Sequence, residues 1–228
     1  MIYKNLKYKE TAVKQLLEKA NELLEDSNSD NIIFKAPTGA GKTIIMAAFL
    51  MQFISERNTW AHVLENAREK GRLSLRPIHG DPKVDNIMID TATGQAISIV
   101  DLDTVKPGLV HYDIGDCLRS GCNLMGEETE QWERVHFDPD LCKAILQGYI
   151  SMAREFLTEN DFAYIYGSIR LIAFELGLRF FTDYIEGNVY FKVKHPEHNL
   201  ARALVQFKLA ESIELQETVI RNIIRDSR

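Results

Sequence analysis

From Tyr8 to Leu24, apolar residues Val13, Leu16, Leu17, Ala20, Leu23 and Leu24 recur at helical intervals with lysine and glutamate opposite them. The pattern predicts an amphipathic helix. Asp26 to Asp30 interrupts it, and Ile32-Ile33-Phe34 forms a short run suited to a buried strand. The stretch Ile44 to Glu56 returns to helix-forming residues. A second region opens with a helical stretch from about Thr59 to Lys70, closed by Gly71. Two strands follow, Asn86–Ile89 and Ala96–Val100, joined by the turn-rich Asp90-Thr91-Ala92-Thr93-Gly94. Beyond Asp113 the pattern is almost wholly helical, with long periodic apolar runs over Leu141–Phe156, Phe162–Tyr184 and Asn199–Ile224.

Composition narrows what this arrangement can be. At 228 residues and 45% apolar content the chain can bury a substantial core. A net charge of −6 argues against a general binder of the phosphate backbone, so nucleic acid is not an expected partner. The most apolar run, Ile44 to Ile54, is broken by Gln52 and is too short for a bilayer span. No signal peptide is legible near Met1, and Cys117, Cys122 and Cys142 lack paired spacing for zinc, so a reducing cytoplasm is the expected setting.

Two segments carry candidate chemistry. The first, Ala36-Pro37-Thr38-Gly39-Ala40-Gly41-Lys42-Thr43, lies between the predicted strand and the predicted helix, the order a phosphate cradle needs. Backbone amides around Gly39 and Gly41, together with Lys42, would hold phosphate, and Thr43 would touch Mg2+. The second, His79-Gly80-Asp81-Pro82-Lys83-Val84-Asp85-Asn86, places an aspartate and an asparagine on one loop leading into the first hairpin strand. Asp101 stands at the end of the second strand, where a hairpin returns it beside Asn86. Phosphoryl transfer needs a base facing the acceptor hydroxyl and a cation against the phosphates, and this set offers both.

The segment His79–Asn86 resembles the catalytic loop of the aminoglycoside phosphotransferase and choline kinase superfamily, and within it is most similar to N-acetylhexosamine kinases. The resemblance continues through Asp101–Gly108, Tyr112–Asp116, Arg179–Tyr184 and His198–Leu200, covering about Asn58 to Arg225. It implies Asp81 as catalytic base, Asn86 and Asp101 as Mg2+ ligands, Asp113 as a carboxylate bracing the loop, and His79 as a structural loop residue. Arg179, Asp183 and Tyr184 are candidates for the wall of the acceptor pocket. ATP and a sugar or aminosugar hydroxyl are the implied substrates. The superfamily also uses an N-terminal β lobe over ATP; none is legible before His79, so low activity is expected.

Residues from about Leu6 to Glu56 instead resemble the Walker A region of superfamily-two helicases and of the motor subunit of type III restriction enzymes, with Tyr8–Val13 upstream of the glycine loop. The chain therefore reads as two fused, truncated parents, 1–57 and 58–228. The expected fold class is α+β: a mainly helical, protein-kinase-like C-terminal lobe with a small catalytic β-hairpin, preceded by an α-β-P-loop-α fragment. A nucleotide-binding module without transfer, or a non-catalytic hybrid, are the alternatives. A bared apolar lobe surface would favour a homo-oligomer. The charges from Glu127 to Glu133 are expected to form a solvated face, and His195-Pro196-Glu197-His198 a turn leading into a helix.

Overall fold

A computed structural model describes residues 52–228. The predicted first helix and strand and the glycine loop, with Gly39, Gly41, Lys42 and Thr43, lie outside the described residues. By its contacts the chain divides into two units, with the boundary between His62 and Val63. In the described part of the first unit, residues 52–57 are helical and a 3₁₀ turn follows at Asn58–His62. There the guanidinium of Arg57 lies 3.6 Å from the ring centre of Phe53 and donates to the Phe53 carbonyl at 3.1 Å.

The second unit opens with α1 (Val63–Glu69), which buries Leu64 and Ala67 and is closed by Gly71 at a φ of +68°. That left-handed residue is the ordinary helix stop for a glycine. Strand β1 (Arg76–Ile78) then pairs antiparallel with β4 (Lys106–Gly108), Pro77 facing Pro107. This ladder was not expected. Its strands are three residues long and each contains a proline, which supplies no ladder donor and obscures the signal.

The expected hairpin is present as β2 (Ile87–Ile89) and β3 (Ala96–Ile99), with Ile87 opposite Ile99 and an irregularity between Met88 and Ile89. Asp90 shapes its turn by accepting from the amides of Ala92 at 2.9 Å and Thr93 at 2.8 Å, and Gly94 takes a φ of +70°.

Five helices complete the unit: α2 (Val110–Gly121), α3 (Pro139–Ala153), α4 (Glu159–Ile185), α5 (His198–Leu215) and α6 (Glu217–Asp226). The 27-residue α4 runs through the core, burying Phe162, Ile165, Tyr166, Ile169, Phe174 and Phe181, and packs against both α2 and α5. Its start is fixed by a capping box between Thr158 and Asp161. Asp161 also receives Arg76 at 3.3 and 3.1 Å, which ties β1 to the head of α4. The expected single helix Asn199–Ile224 is two helices that meet at Gln216, whose side chain donates to the Phe137 carbonyl at 2.8 Å. His195–Glu197 leads into α5 as expected. The described part of the chain is mostly helical with two small antiparallel sheets, an α+β arrangement. Among the described residues no helix is long and apolar enough to cross a membrane.

Candidate functional site

The loop after β1 is held from below by one carboxylate. Asp113, in the first turn of α2, accepts from the backbone N–H of His79 at 2.7 Å and of Gly80 at 2.9 Å. Burial pushes the Asp113 carboxyl above its usual range, while the two amides pull the other way. Gly80 takes a φ of +87°, and a Cβ there would stand 2.8 Å from the Thr104 carbonyl oxygen. The chain can pass Thr104 only as glycine. Thr104 Oγ1 in turn donates to the His79 carbonyl at 2.7 Å.

The His79 ring bridges the loop to the end of β3. Its Nδ1 accepts from the Asp81 amide at 3.3 Å, so in the neutral ring the proton sits on Nε2, which lies 3.0 Å from the Val100 carbonyl. Asn86 closes the same circuit from the other side. It lies in a 3₁₀ turn (Val84–Asn86), accepts from the Val100 amide at 2.9 Å, and is 7% exposed. Its Nδ2 donates to the Asp81 carbonyl at 2.8 Å and to Asp81 Oδ2 at 3.2 Å. Lys83 Nζ stands 3.3 Å from that same oxygen.

Asp81, Asn86, His79 and Asp113 thus share one hydrogen-bonded network, and Val100, the residue that precedes Asp101, is bonded into it. Asp101 adopts the left-handed conformation, φ 66° and ψ 54°, which is uncommon for a residue with a Cβ. Its carboxylate is exposed and accepts no hydrogen bond among the described residues. The Asn86 amide nitrogen is committed to Asp81, leaving Oδ1 as its open acceptor. Two hard oxygen donors suit Mg2+, which keeps several waters and takes further ligands from phosphate. Among the described residues no group of three or more histidine, cysteine or acidic side chains is placed to hold a metal, so any ion here would draw the rest of its shell from solvent and substrate.

The remaining sequence candidates lie at the end of α4. Asp183 is 3% exposed and accepts from the amides of Tyr190 at 2.7 Å and Phe191 at 2.9 Å and from Asn199 Nδ2 at 2.7 Å. Its carboxylate organises the following loop. The Arg179 guanidinium lies 5.1 Å from the Phe191 ring centre and 5.8 Å from that of Tyr190, and Tyr184 is half-buried. No hydrogen bond joins these three to the His79–Asn86 loop among the described residues. Lys83, Gly80 and Thr104 did not stand out in the sequence. Lys83 lies two residues from Asp81, but nothing in a linear pattern aims a long flexible side chain back along its own loop.

Comparison with known families gives two matches, which overlap over residues 45–68. Residues 45–149 match the phosphotransferase enzyme family (APH), and residues 2–68 match the type III restriction enzyme, res subunit. Both resemblances drawn from the motifs are met: a phosphotransferase segment that holds Asp81, Asn86, Asp101 and Asp113, and a restriction-motor segment that holds Lys42 and Thr43.

Proposed function

We propose that this chain is an ATP-dependent, Mg2+-requiring phosphotransferase acting on the hydroxyl of a sugar or aminosugar. The observation that carries the reading is the Asp81 carboxylate, held by Asn86 at 3.2 Å within a loop bonded to Val100, the residue between β3 and Asp101. Asp81 Oδ2 is taken by Asn86 and Lys83, so Oδ1 is the atom that accepts the proton of the acceptor hydroxyl. As that proton leaves, the acceptor oxygen bonds to the γ-phosphorus and the bond to the ADP oxygen breaks. Asn86 Oδ1 and Asp101 would hold the cation, which neutralises charge on the phosphates. Lys83, beside the base, places a positive charge where the transferred group arrives. Asp113 and His79 act only by positioning. The unpaired spacing of Cys117, Cys122 and Cys142 is what supports a reducing, cytoplasmic setting.

The test is phosphate transfer from Mg-ATP to a panel of hexosamines and aminoglycosides. The expected result is measurable transfer that falls about 100-fold or more in Asp81→Asn, the usual effect of removing a general base. Transfer equal in the two proteins, or none in either, would remove the catalytic reading. A second reading, nucleotide binding without transfer, is favoured by the restriction-motor match over residues 2–68, which includes the glycine loop. It requires that Lys42→Ala abolish nucleotide binding.

A further inference from the structure

The stretch from Glu127 to Glu133 is largely exposed, as expected, and two of its carboxylates also reach groups outside the stretch. Glu127 receives Arg119 at 3.0 Å. Glu128 receives both Lys194 Nζ and Arg202 on its two oxygens, and His198 Nε2 stands 3.8 Å from Oε1. These donors come from the start of α5 and the loop before it.

The receiving groups are built in, and they are not saturated. The Arg202 side chain is 12% exposed; its guanidinium lies 5.3 Å from the Phe180 ring centre and is fixed by the Lys192 carbonyl and Asn199 Oδ1, each at 3.3 Å. Its Nε is buried without a partner. His198 is 5% exposed and its Nδ1 accepts from the Lys194 amide at 3.2 Å, so the neutral ring turns an Nε2–H toward Glu128 beyond hydrogen-bond reach. One planar carboxylate therefore leaves donors unused on two nearly buried side chains. A tetrahedral dianion has more oxygens to offer them, and a guanidinium fork suits phosphate.

Glu128, by contrast, is open to solvent on one side. Glu128 is 42% exposed at the side chain and sits in an irregular segment just after Gly126, whose φ is +75°. Hydrogen bonds from Lys194 and Arg202 bring its carboxyl down to about 2, so it is charged at any working pH and only another anion can replace it.

We propose that Lys194, His198 and Arg202 form an anion-binding site for a phosphate monoester, filled in this structure by the chain's own Glu128. The site uses none of the residues of the His79–Asn86 loop and stands whether or not that loop transfers phosphate.

The test is titration of the full chain with inorganic phosphate by calorimetry, against chloride at matched ionic strength. Glu128→Gln removes the competing charge and is expected to bind phosphate about tenfold or more tightly than the unaltered protein, a difference of ~1.4 kcal/mol. Glu128→Ala repeats the comparison with no amide in the site. The gain should vanish when Lys194→Met, at a side chain 71% exposed, is added to Glu128→Gln. Phosphate held at Lys42 is common to all of these proteins and cancels. Equal affinity in the unaltered and Glu128 variants, or a gain that survives Lys194→Met, overturns the proposal.

Discussion

Gly80 shows how much of the site rests on one missing side chain. Its backbone has a φ of +87°, and the space a Cβ would need is closed by the Thr104 carbonyl at 2.8 Å. Gly80→Ala must therefore strain the backbone or push Thr104 away, breaking the bond from Thr104 Oγ1 to the His79 carbonyl. The expected cost is about 1–3 kcal/mol in urea denaturation. Transfer activity should fall further than stability, because His79, Asp81 and Asn86 all hang from the displaced turn. His111 gives the pH counterpart. Its ring is fully buried; Nε2 lies 2.8 Å from the Asp161 carbonyl and Nδ1 has no partner, so burial holds its pKa below the ordinary value of 6.5. Below that value the unfolded chain takes up a proton that the folded chain refuses, so stability is lost as pH falls. Urea midpoints measured from pH 8 to pH 5.5 should drop. His111→Gln, which keeps a donor for Asp161, should flatten the slope without abolishing it, since burial also lowers His198.

At the scale of elements, α2 is the part that must be placed correctly, since its first turn carries Asp113. Gly115 lets it approach α4: a Cβ there would meet Ile172 Cγ1 at 2.7 Å and the Ser168 carbonyl oxygen at 2.9 Å. The carbonyl belongs to helix backbone and cannot step aside as a side-chain tip can. Gly115→Ala is expected to lower stability by about 1–3 kcal/mol and to loosen the loop through Asp113, read as faster amide exchange at His79 and Gly80. The long helices were legible in the sequence because many periodic apolar positions each repeat the same signal. The hairpin was legible because Asp90 and Gly94 have a turn chemistry of their own. The β1–β4 ladder was not, being two proline-bearing segments separated by the whole loop and hairpin. Nor was the break at Gln216, which answers to a carbonyl 79 residues away. Sequence spacing placed Asp81 beside Asn86. It gave no hint that Lys83 shares their oxygen, or that Asp183 spends its carboxylate on the loop that follows it.

At the scale of the molecule, one chain carries two candidate places for nucleotide phosphates, each in its own matched segment, with Lys42 in residues 2–68 and Asp101 in residues 45–149. The two differ in what they ask of the metal. A glycine loop grips phosphate with backbone amides and a lysine and adds magnesium through a single hydroxyl. In the phosphotransferase-like segment, Lys83 is the cation that stands beside Asp81, while Asp81, Asn86 and Asp101 offer oxygen donors that need a divalent ion between themselves and a polyphosphate. With free ATP at ten times its Kd, binding stabilises the folded state by ~1.4 kcal/mol. For a chain of this size that is a melting-temperature rise of about 3–6 °C. If the phosphotransferase loop is the working site, chelating magnesium should erase that rise. Asp101→Ala should erase it too, while Lys42→Ala leaves it intact. A rise that persists in chelator and in Asp101→Ala but is lost in Lys42→Ala assigns the nucleotide to the glycine loop instead.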